Sequence, residues 1–91
     1  YAVPTTAGTG SEVTVPAVVS DPEAGRKLVI ADSRLVPQMA ALDPALMAGL
    51  PRAITAATGM DALTHAIEAY LSTWAGEQAE RLALAAVAPI Y

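Results

Sequence analysis

The chain's single histidine, His65, follows Asp61 by four residues. On a helix that spacing puts both side chains on one face, one turn apart. A carboxylate oxygen and an imidazole nitrogen so placed suit two ligands of one divalent metal, and this mixed donor set suits Fe²⁺ or Zn²⁺. A plain Asp–His hydrogen bond is the competing reading, and on spacing alone it is the preferred one. Two ligands also fall short of a stable site, which takes at least three protein groups. With no second histidine, a complete site needs donors from outside this sequence. Glu68, one turn beyond His65, is placed either to orient the imidazole ring or to stand as a solvated carboxylate.

A second group of polar residues opens the chain. Pro4-Thr5-Thr6-Ala7-Gly8-Thr9-Gly10-Ser11-Glu12 gathers three threonines, two glycines and a serine. Glycine lets backbone turn tightly and approach a ligand. Hydroxyls and free backbone N–H groups can hold a pyrophosphate with little positive charge. Lys27 is the nearest candidate for a local point charge. The standard phosphate motifs do not fit: G-x-G-x-x-G would need glycine where Val13 stands, and a Walker A loop would need Gly-Lys-Ser/Thr. On these residues alone, a structural turn and a phosphate cradle both remain open.

The elements that must position these groups differ between the two halves. Residues 13–20 and 27–31 are strand-like and flank Asp21-Pro22-Glu23-Ala24-Gly25, a strong turn signal, so a β-hairpin is expected. Tyr1-Ala2-Val3 reads as a strand already under way, and 37–42 as another short strand ended by Asp43-Pro44. From Pro51 onward Ala, Leu and Glu favour helix, with Pro51 at the first helical position. Gly59 is expected to separate a short helix from a second over 60–73. Gly76 marks a further break, and a third helix from Glu77 is expected to stop before Pro89. On the second helix, Leu63, Ile67, Tyr70, Leu71 and Trp74 form an apolar side read as core. Asp61, His65 and Glu68 share the opposite side. The boundary between the halves falls near residues 44–51.

Composition narrows the partners. Of 91 residues 54% are apolar and 15% charged, which excludes a disordered chain. So much apolar surface on so short a chain points to a piece of something larger. The net charge of -4, and five bases (Arg26, Lys27, Arg34, Arg52, Arg81) in no run longer than two, argue against a nucleic-acid surface. The chain contains no cysteine, which excludes disulfides, thiolate metal sites and cysteine nucleophiles and fits a reducing cytoplasm. Residues 82–91 are too short an apolar stretch to span a bilayer, so no membrane partner is expected. No signal peptide is visible at the start, and the uncapped close at 89–91 reads, like the opening, as a cut end.

Together the two constellations resemble the iron-containing (group III) alcohol dehydrogenase family. The resemblance rests on the run from Pro4 through Glu12 to Val13-Thr14, and on Gly59-Met60-Asp61-Ala62-Leu63-Thr64-His65-Ala66-Ile67-Glu68-Ala69-Tyr70. Asp43-Pro44, Leu50-Pro51 and Ala56-Ala57-Thr58 fall at matching spacing between them. It extends to about Ser72 and weakens over 74–91. The resemblance implies an α/β plus all-α fold class: residues 1–50 as the C-terminal part of an NAD(P)-binding α/β domain, and 51–91 as the N-terminal part of a helical metal-binding domain. It implies that Thr5, Thr6 and Thr9 lie on the phosphate and ribose side of NAD or NADP, and that Lys27 reaches the cofactor ribose. It further implies that Asp61 and His65 are the first two of four metal ligands, one Asp and three His, for Fe²⁺ or Zn²⁺. The remaining histidines and the upstream glycine-rich turn lie outside this sequence, so an internal fragment, about a quarter of a two-domain protein, is expected. The implied activity is hydride transfer between a primary alcohol or aldehyde and nicotinamide, with the metal as Lewis acid. The fragment alone is expected to be inactive, and the full-length protein a homo-oligomer. A non-catalytic cofactor-binding or interaction module and a glycerol dehydrogenase-like enzyme are the alternatives.

Overall fold

A computed structural model describes residues 1–90 of the chain. Tyr91, the last residue of the expected uncapped close and of the helical half, lies outside the described residues. Two strands come first, β1 (Pro16–Asp21) and β2 (Arg26–Ala31). Short 3₁₀ turns follow at Ser33–Leu35 and Pro44–Met47, and then two helices, α1 (Arg52–Leu71) and α2 (Glu77–Ile90).

The expected hairpin is present. β1 and β2 pair antiparallel with Pro16 opposite Ala31 and Asp21 opposite Arg26. Its turn closes by local chemistry: the Ala24 N–H donates to Asp21 Oδ1 (3.0 Å), and Gly25 takes a φ of 61°, which a residue with a Cβ rarely adopts. Arg26 Nε lies 3.7 Å from Asp21 Oδ2 across the same turn. The first strand starts at Pro16 rather than at residue 13. The Val13 N–H donates to Gly10 O (3.0 Å), and Thr14 Oγ1 donates to Ser11 O and Pro16 O, so residues 13–15 belong to the preceding turn.

The strands expected at 1–3 and 37–42 are reduced to one parallel bridge between Ala2 and Ala40. The Ala2 N–H donates to Met39 O (3.0 Å), and Ala2 O accepts from the Ala41 N–H (2.9 Å). Pro37 and the Asp43-Pro44 turn flank this segment and leave little room for a longer ladder. Asp43 caps the second 3₁₀ turn by accepting from the Ala45 N–H (2.9 Å).

Three expected helices are two, because Gly59 does not break α1. A mid-helix glycine costs only about 1 kcal/mol relative to alanine, and the neighbouring Ala, Leu and Met residues outweigh that. Pro51 sits at the N-cap rather than the first helical position. Its carbonyl accepts from the Ile54 and Thr55 N–H groups (2.9 and 3.1 Å). Ser72 ends the helix in extended backbone, its Oγ accepting from the Trp74 N–H (3.2 Å). α2 then starts with Gly76 O accepting from Ala79 and Glu80, and with Glu77 and Glu80 in its first turn, where the helix dipole favours negative charge. It runs through Pro89 rather than stopping before it. Proline's fixed φ is helical, so in the last turn it forfeits one bond to the i−4 carbonyl without ending the helix.

The helices pack on each other across the short 72–76 connection, and Ile90 at the end of α2 lines a hollow with Thr55 and Gly59 of α1, so they run antiparallel. Among the described residues the buried apolar side chains are Ala66 on α1 and Ala83 on α2. The apolar stripe read as core is therefore mostly uncovered: Ile67, Tyr70 and Leu71 are exposed, and Trp74, beyond the helix end, is 95% exposed. Amphipathic spacing marks which side seeks a partner; it does not supply one.

Candidate functional site

Pro4 to Glu12 form an irregular loop without strand or helix. Thr5, Thr6 and Thr9 line one hollow of about 250 Å³ with Ser11 and Glu12. The Thr9 and Ser11 hydroxyls are hydrogen-bonded at 2.9 Å. Gly10, with φ 61°, makes the turn that closes on Val13 and returns the chain toward the hairpin. The three threonines singled out in the sequence are thus brought together. Lys27 is not among the residues of this hollow; it stands exposed on β2, in register with Ser20.

The loop's other side meets α1. A Cβ added at Gly8 would collide with the Thr58 carbonyl oxygen and sit 2.8 Å from Thr58 Cβ, so only glycine lets the loop approach this closely. Beside the contact is a cleft of about 530 Å³, lined by Gly8, Gly10 and Glu12 from the loop and by Thr58, Gly59 and Ala62 from α1. Glu12 borders both hollows. Sequence reasoning took it only as the end of the threonine run, and its place beside Ser11 was the available signal.

α1 carries the second constellation from that contact. Thr58 and His65 are seven residues apart, so they lie within about 20° of each other around the axis, with Asp61 one turn on from Thr58. Asp61 Oδ1 and His65 Nε2 are 3.7 Å apart and both side chains are about half exposed. That is longer than a hydrogen bond, so the plain Asp–His bond preferred on spacing is not made. Metal–ligand bonds of about 2.1 Å at a tetrahedral angle separate two donors by roughly 3.4 Å, so the pair fits a shared cation with minor adjustment. Among the described residues no cluster of three or more His, Asp or Glu side chains accompanies them. Nor, among these residues, does a hydrogen bond join Glu68 to His65.

Hydroxyls on α1 serve the helix. Thr58 Oγ1 donates to Ile54 O (3.0 Å) and Thr64 Oγ1 to Met60 O (2.8 Å), so neither is a free donor toward the cleft. Among the described residues no helix is long and apolar enough to cross a membrane.

Comparison with known proteins decides the lineage. A profile described as iron-containing alcohol dehydrogenase matches residues 1–44, and one for the C-terminal region of the Fe-containing alcohol dehydrogenase family matches residues 55–91. The chain belongs to the iron-containing alcohol dehydrogenase family. Within that family it is 56% identical over 82 residues to a 1-propanol dehydrogenase of Citrobacter freundii, covering 90% of this chain and 22% of that protein. Among solved structures, a 1,3-propanediol oxidoreductase superposes with a TM-score of 0.81 at 51% identity, covering 90% of this chain and 22% of the other. A sulfoacetaldehyde reductase of Bifidobacterium kashiwanohense, solved in complex with NAD+, superposes with a TM-score of 0.89 at 40% identity. That match covers 97% of this chain and 23% of the reductase. The chain spans about a fifth of the length of each of these three proteins.

Proposed function

We propose that the chain is the domain junction of a metal-dependent, NAD(P)-linked alcohol dehydrogenase. Residues 1–50 form the end of the dinucleotide-binding part, and residues 51–91 the start of the helical metal-binding part. The observation that carries this reading is the Gly8–Thr58 contact, which joins the threonine loop to the helix that bears Asp61 and His65. Known relatives act on small alcohols or aldehydes by name, and the neighbour solved with NAD+ supports the nicotinamide assignment.

In this reading Thr5, Thr6 and Thr9 hold the dinucleotide by their hydroxyls and the loop N–H groups, a mode that suits a chain of net charge -4. Lys27 adds a single positive charge toward the cofactor ribose from the second arm of the hairpin. Asp61 contributes a hard, anionic oxygen and His65 a neutral imidazole nitrogen, a donor set that takes Fe²⁺ or Zn²⁺, with the remaining ligands supplied from beyond this sequence. When bound, the cation supplies Lewis acidity toward the alcohol or aldehyde oxygen, and NAD or NADP supplies the hydride-accepting ring. The residues of α1 and the loop fix how far apart those two activities are held.

The test is a spectrophotometric assay of nicotinamide reduction on short primary alcohols, with elemental analysis of the same full-length preparation. Metal-dependent reduction is the expected result. A preparation that binds dinucleotide and metal but turns over no alcohol or aldehyde would make the chain part of a non-catalytic module instead.

A further inference from the structure

We infer that Gly8 is a positioning residue: its missing side chain sets the distance between the nucleotide loop and the α1 face carrying Asp61 and His65. The inference rests on the reading just given and adds a residue to it.

A Cβ on Gly8 would meet the backbone oxygen of Thr58 as well as its Cβ. Backbone within a 20-residue helix cannot swing aside as a long side chain can, so the loop must retreat. Gly10 differs: its conformation needs glycine, but a Cβ there would meet only Val13 Cγ2, at 3.9 Å. The two glycines of the run therefore have separate tasks, Gly10 shaping the loop and Gly8 seating it on α1. Thr58 precedes Asp61 by one turn, and the cleft beside the contact is lined by Ala62, between Asp61 and His65 in α1. A retreat of the loop would thus widen the gap between the two half-sites while leaving the donors of each half in place.

Such a change acts on geometry between two bound groups. A misplacement near 1 Å costs on the order of 10²-fold in rate without requiring loss of either ligand. The discriminating experiment compares full-length enzyme and its Gly8→Ala variant in four measurements: metal content, dinucleotide affinity by fluorescence titration, kcat, and the isotope effect with a carbinol-deuterated alcohol. The expected result is a fall in kcat of at least about tenfold, a larger isotope effect, and metal content and dinucleotide affinity within about threefold of the parent. An unchanged kcat overturns the inference. So does a fall in kcat that merely tracks lost metal or lost dinucleotide, since that is the signature of a damaged half-site. If Gly8→Ala does not accumulate as folded protein, Thr58→Leu presses on the same contact from the helix side with a better helix former, and the same outcomes decide. A parent enzyme that reduces no nicotinamide with any alcohol defeats the function proposed above, and this inference with it. A fully active parent with an unaffected variant defeats the inference alone.

Discussion

Asp61 Oδ1 and His65 Nε2 face each other across 3.7 Å on successive turns of α1, too far for a hydrogen bond and near the separation that one shared cation requires. Neither lone pair is spent on the other, and both side chains remain about half exposed. A carboxylate's charge is central to such a pair. Asp61→Asn keeps the shape and removes the charge. Its metal affinity should therefore fall by no less than the roughly 10–100-fold that loss of outer-sphere partners costs. Competition against a chelator of known affinity measures this; equal affinity in parent and variant would remove Asp61 from the ligand set.

Lys27 makes a prediction of the opposite kind. It lies on the hairpin in register with Ser20, on a different element from Asp61 and His65, so its removal should leave metal binding intact. Lys27→Ala in the full-length enzyme should weaken dinucleotide binding by about tenfold, the worth of one charge-assisted hydrogen bond of roughly 1.5 kcal/mol. Fluorescence titration with dinucleotide checks it, and unchanged affinity would detach Lys27 from the cofactor.

The hairpin turn depends on Gly25. With φ at 61°, any Cβ there is strained although the space around it is open. Gly25→Ala should lower stability by about 1–2 kcal/mol, whereas Gly49→Ala, at an open position without positive φ, should not destabilise. Denaturant midpoints of the two variants, compared with the parent, separate strain from mere loss of glycine.

The first 3₁₀ turn carries a pH signature. Hydrogen bonds from the Arg34 side chain (2.7 and 3.0 Å), and then from its backbone N–H, hold the Asp32 carboxyl below its ordinary value of 3.8. A depressed carboxylate contributes stability above its unfolded value and loses it as pH falls through its lower folded value. The contribution should therefore vanish only in acid below about pH 4, and because the pair is exposed it should be small and weaken with salt. Arg34→Ala should lower stability slightly at neutral pH and leave it unchanged in strong acid, where the curves of variant and parent meet, as read from denaturant midpoints across pH.

What the sequence disclosed follows the range of the interactions involved. The hairpin was legible because Asp21, Pro22 and Gly25 shape the backbone within one turn, and the closeness of Asp61 and His65 was legible because four-residue spacing stacks two side chains on one helix face, whatever they bind. Gly59 and Pro89 were misread as stops because their local cost was weighed without the long Ala- and Leu-rich helices around them. Trp74 was assigned to a face that ends at Leu71, once Ser72 turns the chain out of the helix. The Gly8–Thr58 contact joins residues fifty positions apart, and no local pattern announces which glycine of the run must meet a helix.

Metal content tests the account most directly. Full-length parent and His65→Ala should be passed through the same desalting step and analysed for iron and zinc, with dinucleotide affinity measured on the same samples. The parent should retain a divalent ion, and the variant should lose it together with turnover while still binding dinucleotide. A variant that kept the parent's metal and activity would contradict the assignment of this helix face to a catalytic cation.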